Sequence, residues 1–129
     1  MLRNSFFNIL NMVSGSDGLE VMIRLNPEHE IFRAHFPGQP ITPGVCQIQM
    51  VTEILSLHIG REVCLTDIKN VKYMSVISPV EVVELTVRFQ KLAMKDDSCK
   101  VVAVFECGER IFSKMSMTYE VVCDNSDIQ

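Results

Sequence analysis

The ten residues from His35 to Gly44 hold three prolines and two glycines, and the fifteen that follow, Val45 to Ile59, hold neither. Proline fixes φ and removes a backbone donor, so the first segment is neither helix nor central strand. It must be an ordered, tightly turned loop. The second segment carries Val45, Ile48, Val51, Ile54, Leu55 and Ile59 at helical spacings, with Met50 and Leu57 off that stripe. So broad an apolar surface predicts a helix buried on most sides. Thr42 or Gly44 can cap its start, and Gly60 suits its end. A helix covered nearly all round needs something to wrap it, and the rest of the chain supplies strands.

Leu19, Val21, Ile23 and Leu25 alternate with Glu20, Met22 and Arg24, which predicts a half-buried strand over 19–25. Asn26-Pro27-Glu28-His29 breaks it. Val71, Tyr73, Ser75 and Ile77 alternate in the same way, as do Val83, Leu85, Val87 and Phe89. After a turn at Lys95–Ser98, strands are expected over 100–107 and 110–122. In the last of these Ser113, Met115, Met117, Tyr119 and Val121 share a face. The order is strand, irregular loop, one long helix, then about four antiparallel strands. That is an α+β arrangement. The 129 residues correspond to a single domain, 1–129, with a polar tail, 124–129, expected to fray.

Hydrophobic residues make up 47% of the chain and charged residues 22%, enough apolar material for a core. The net charge of −4 and a pI near 5.3, with no basic run, argue against nucleic acid. No apolar stretch has the length of a membrane span, and the first residues lack the pattern of a secretory signal, so a cytoplasmic location is expected. The five cysteines form no Cys-x-x-Cys pair and have no histidine at metal-ligand spacing, which reads as free thiols. Cys46 sits near a helix start, where a thiol pKa can fall, but a core-filling role is the simpler reading.

The segment His35-Phe36-Pro37-Gly38-Gln39-Pro40-Ile41-Thr42-Pro43-Gly44-Val45 resembles the signature of the 3-hydroxyacyl-acyl carrier protein dehydratases. That signature is His-Phe-Pro-Gly-x-Pro, two residues, then Pro-Gly-Val, at the mouth of a central helix. Phe32-Arg33-Ala34 is similar to the family's approach to the motif, with Ala34 where glycine is usual. Pro79-Val80-Glu81 stands where a Pro-Gly-Asp turn is common. The resemblance covers most of residues 19–121, and its specific part is the His35 loop. It implies the hotdog fold, a curved antiparallel sheet wrapped around one long central helix.

It also implies chemistry. Dehydration of a 3-hydroxyacyl thioester removes a proton from C2 and expels hydroxyl from C3. His35 would be the base, suited by an ordinary pKa of ~6.5. The Ile41 carbonyl would hold the other ring nitrogen. The backbone amides of Gly44 and Val45 would stabilise negative charge on the thioester oxygen. Phe36, Ile41, Val45 and Ile48 are candidates to line the substrate tunnel. Family members carry a carboxylate fourteen residues after the histidine, supplied across a dimer interface as the acid for the departing hydroxyl. Here that residue is Gln49, an amide with no proton to give. Four residues on, where many members carry glutamine, stands Glu53. It shares a helix face with Gln49, one turn or ~5–6 Å along the axis.

Glu53 could serve as a displaced acid, or be a buried carboxylate bonded to Gln49. Three functions follow. The chain could be a dehydratase in fatty acid or polyketide-type metabolism, acting on acyl carrier protein or CoA thioesters. It could be an impaired subunit that pairs with a carboxylate-bearing hotdog chain. It could be an acyl thioesterase, with Gln49 orienting water and Glu53 as base. Each predicts a homodimer, a hetero-hotdog dimer or a higher oligomer, because a lone sheet leaves an open edge. Arg33, Lys69 and Lys72 are candidates to dock an acidic carrier. No metal, flavin or nucleotide is implied.

Overall fold

In the computed structural model, which describes residues 1–16, 18–34, 36 and 38–122, alternation decides the first predicted strand without change. β2 (Leu19–Leu25) buries every second residue, starting with Leu19. It follows a strand that the sequence pattern did not reveal, β1 (Phe7–Ser14). A single helical turn, α1 (Glu30–Ala34), follows the Asn26–His29 break; the His29 ring starts it by accepting from the Ile31 N–H at 3.1 Å. Next come α2 (Gly44–Ile59), β3 (Val63–Tyr73), β4 (Glu84–Lys95), β5 (Ser98–Cys107) and β6 (Arg110–Val121). All six strands form one antiparallel sheet in the order β1-β2-β4-β5-β6-β3.

α2 is about 24 Å long at 1.5 Å per residue. Gly60 ends it in the left-handed region (φ 80°), its N–H donating to the Ser56 carbonyl. Neither Thr42 nor Gly44 caps the start: Pro43 holds the N-cap position, and no side chain bonds the first turn. Cys46, Met50, Val51, Ile54 and Leu55 pack into the core against Phe89, Phe105, Met115, Met117 and Tyr119 of the sheet. The expectation of burial nearly all round is corrected. Val45 is 75% exposed, and Gln49 and Leu57 are exposed with it. One chain's sheet wraps one side of a helix, and the other side stays bare.

The strand expected over 71–77 is also displaced. β3 spans 63–73, and Ser75 and Ile77 lie beyond it. The cause is register. Paired residues in antiparallel strands share a face. The partners of Val63, Leu65, Ile68, Val71 and Tyr73 are Val121, Tyr119, Met117, Met115 and Ser113, the helix-facing row of β6. Two bulges, between Leu65 and Asp67 and between Ile68 and Asn70, give the inward positions a stagger that matches neither a strict strand nor a helix. The expected frayed tail, 124–129, lies outside the described residues. Among the described residues no helix is long and apolar enough to cross a membrane.

Candidate active site

The loop into α2 is held from three sides. Phe36 and Gln39 exchange backbone hydrogen bonds around Gly38 (φ 83°). The Thr42 N–H donates to the Ile77 carbonyl at 2.7 Å. The Gln47 amide donates to the Thr42 carbonyl at 3.4 Å and accepts from Ser113 Oγ at 2.6 Å, both side chains being buried. This polar link between β6, α2 and the loop was signalled in the sequence only by Ser113, the one polar residue on an apolar strand face.

At the helix start, the N–H groups of Cys46 and Gln47 donate to the Pro43 carbonyl at 3.0 and 3.2 Å. Those of Gly44 and Val45 donate to no described residue, which leaves them available at the positive end of the helix dipole. Cys46 is buried, and that burial pushes its thiol pKa up, so little thiolate forms at neutral pH. His35 lies outside the described residues. Of the four tunnel candidates, Phe36 and Val45 are exposed, while Ile41 and Ile48 are half-buried beside them in the chain.

Gln49 and Glu53 do meet. Gln49 Nε2 donates to Glu53 Oε2 at 2.8 Å. The same carboxylate accepts the backbone N–H of Leu2 at Oε2 and of Arg3 at Oε1, both at 2.8 Å. Glu53 is 8% exposed, so three donors converge on a group nearly shut off from solvent. An acid must aim an O–H at its leaving group, but both oxygens here are aimed at N–H donors. One Gln49 N–H is spent on Glu53, and the rest of the amide has no ionisable proton to give. Nothing in the sequence linked Glu53 to Leu2 and Arg3, about fifty residues away. Gln49, Thr52, Glu53 and Ser56 form one wall of an open cleft of about 740 Å³, closed on the other side by Met1, Arg3 and Arg61. Its lining does not include Gly44 or Val45.

The family model described as ApeI-like, ApeI dehydratase, matches residues 11–114. The chain belongs to this family. Among relatives, the 3-hydroxyacyl-[acyl-carrier-protein] dehydratase FabZ of Levilactobacillus brevis is 29% identical over 106 residues, 77% of this chain and 70% of the relative. That of Lactobacillus helveticus is 29% identical over 99 residues, 71% of this chain and 63% of the relative. That of Lactiplantibacillus plantarum is 24% identical over 130 residues, 94% and 86% of the two chains. Among solved structures, the dehydratase heterocomplex ApeI:P from Xenorhabdus doucetiae superposes with a TM-score of 0.69 at 19% identity, over 87% of this chain and 96% of that one. A hypothetical thioesterase from Streptococcus pneumoniae, solved with coenzyme A, gives 0.63 at 13% identity, over 93% and 91%. Likeness at these identities shows the fold, which is the hotdog fold.

Proposed function

We propose that this chain supplies the histidine half of a 3-hydroxyacyl-thioester dehydratase site and takes its acid from a second hotdog chain, with residues 1–129 acting as one domain. The observation that carries this reading is the engagement of Glu53 by Leu2, Arg3 and Gln49. His35 would remove the C2 proton, with the Ile41 carbonyl fixing its tautomer. The Gly44 and Val45 amides would hold the charge that develops on the thioester oxygen. The proton for the departing hydroxyl must come from elsewhere, because Gln49 has none to give and Glu53 is committed to a structural clamp. In a mixed pair, the histidine of this chain would face the partner's carboxylate, giving one competent site. The other site would hold Gln49 and turn over slowly. The heteromeric state of the Xenorhabdus doucetiae structure agrees with such pairing.

The substrate would be an acyl carrier protein or CoA thioester. Lys69 stands in a shallow cleft with Lys91, Lys114 and Arg88, the last ion-paired with Glu106, which leaves three lysines to attract an acidic carrier. Of the three docking candidates Lys69 lines that cleft, and Arg33 and Lys72 do not. Phe36, Ile41, Val45 and Ile48 would form the acyl tunnel once a second chain roofs them. Thioester hydrolysis fits less well, since its base would be the same engaged Glu53. Among the described residues no cluster of His, Cys, Asp and Glu is placed to hold a metal.

Hydration of a 2-enoyl thioester, the reverse reaction, tests this. The chain alone should be slow, Gln49→Glu should raise the rate by about 10²–10⁴-fold, and His35→Ala should abolish it. A fast homomer that loses activity on Glu53→Gln would instead place the acid at Glu53.

A further inference from the structure

Tyr73 is the last residue of β3, paired with Ser113. Ser113 points under the helix, where it bonds Gln47, so the Tyr73 ring leaves the sheet on the same side. It reaches the first residue of α2. A Cβ built on Gly44 would stand 2.6 Å from Tyr73 Oη and 2.7 Å from Cζ. The head of the phenol thus occupies the place a side chain at residue 44 would need. Cα–Cβ bonds in a helix tilt toward its N-terminus. The hydroxyl therefore sits at the open end of α2, beside the unpaired N–H groups of Gly44 and Val45. It makes no hydrogen bond to a described residue, and Tyr73 is still 51% exposed. Three donors without acceptors are gathered at one helix end.

We propose that the Tyr73 hydroxyl is a third donor to the thioester oxygen, acting with the Gly44 and Val45 amides. The inference rests on the dehydratase reading above. When the C2 proton passes to His35, its electron pair enters the C1–C2 bond and negative charge moves onto the thioester oxygen. Three hydrogen bonds hold that charge. The pair then returns to form C2=C3 as the C3–O bond breaks, and hydroxyl leaves as water with the proton supplied by the second chain. Partial burial pushes the Tyr73 phenol above its ordinary range, so it remains a donor at neutral pH. The same packing gives Gly44 a second reason to be glycine: a larger residue would displace the phenol.

Tyr73→Phe removes the hydroxyl and keeps the ring over Gly44. The probe is crotonyl-coenzyme A, whose conjugated absorption shifts to longer wavelength when donors polarise the thioester carbonyl. The full chain should show that shift on binding. Tyr73→Phe should diminish it and lower the hydration kcat/KM by about 10²-fold, with an unchanged urea midpoint. A shift and rate equal to wild type, a faster variant, or no shift with the wild type would each overturn the proposal. A Gln49→Glu chain that still does not turn over, yet shows a shift lost on adding Tyr73→Phe, would sink the dehydratase reading and leave the donor in place.

Discussion

A buried carboxylate stabilises whatever supplies its donors, and Glu53 holds the first residues of the chain against the central helix. Asn4 takes a positive φ of 72°, which turns the segment so that Phe6 enters the core and stacks on Phe32 at 4.8 Å. The Asn26 side chain closes the same turn through the Ser5 carbonyl at 2.8 Å. Glu53→Ala would strip acceptors from two part-buried N–H groups and from Gln49. A lost partner of this kind costs about 1–3 kcal/mol. The urea midpoint should fall accordingly. Removing Met1–Arg3 also deletes the Leu2 side chain packed on the core and the Leu2 carbonyl that accepts from the Ser5, Phe6 and Phe7 N–H groups. The double change should therefore cost more than either alone but less than their sum, since the Glu53 contacts are shared. Additive losses would show that Glu53 stabilises the fold by another route.

At the scale of elements, α2 and β6 are joined by more than apolar packing. Tyr119 is wholly buried in β6, and its hydroxyl lies 2.9 Å from Thr52 Oγ1 on α2. Burial pushes its pKa up to about 12, the Thr52 hydrogen bond offsetting only part of the effect. The unfolded chain releases the same proton near ~10. Stability from this group is therefore intact below about pH 10 and lost between there and about 12, by on the order of 2–3 kcal/mol. Urea midpoints measured from pH 8 upward should decline above 10, and Tyr119→Phe should flatten that decline. The helix and the β2 strand could be read from sequence because each keeps one period throughout. β3 could not, because its bulges stagger the inward residues as Val63, Leu65, Ile68, Val71 and Tyr73. The pairing of Gln49 with Glu53 was legible for the same local reason, a spacing of four on a helix. The Leu2–Arg3 clamp and the reach of Tyr73 to Gly44 depend on contacts far apart in sequence, and no local pattern encodes them.

Beside β3 the single chain leaves an apolar surface without cover. β3 is an edge of the sheet, eleven residues long. Ile68 belongs to its helix-facing row yet is 46% exposed, between the two bulges of the strand. Beyond the strand, Met74, Val76 and Val80 are exposed as well, and on the helix so are Val45 and Leu57. A long edge with free backbone groups beside apolar side chains invites a second chain. Pairing along β3 would set that chain next to Tyr73, Gly44 and the His35 loop, where the missing acid is needed. Interfaces that hold stably bury roughly 1,200–2,000 Å² in total. Ile68→Asp places a charge in the centre of such a contact without touching the core of one chain. The wild type should sediment as a dimer or larger assembly, alone or with a carboxylate-bearing partner. Ile68→Asp should sediment as a folded monomer that has lost hydration activity. If the variant remained fully associated, the contact would have to lie elsewhere, with the opposite edge, β1, the next place to look. A monomeric variant that kept full activity would mean the site is complete within one chain, and the requirement for a second chain's acid would fall with it.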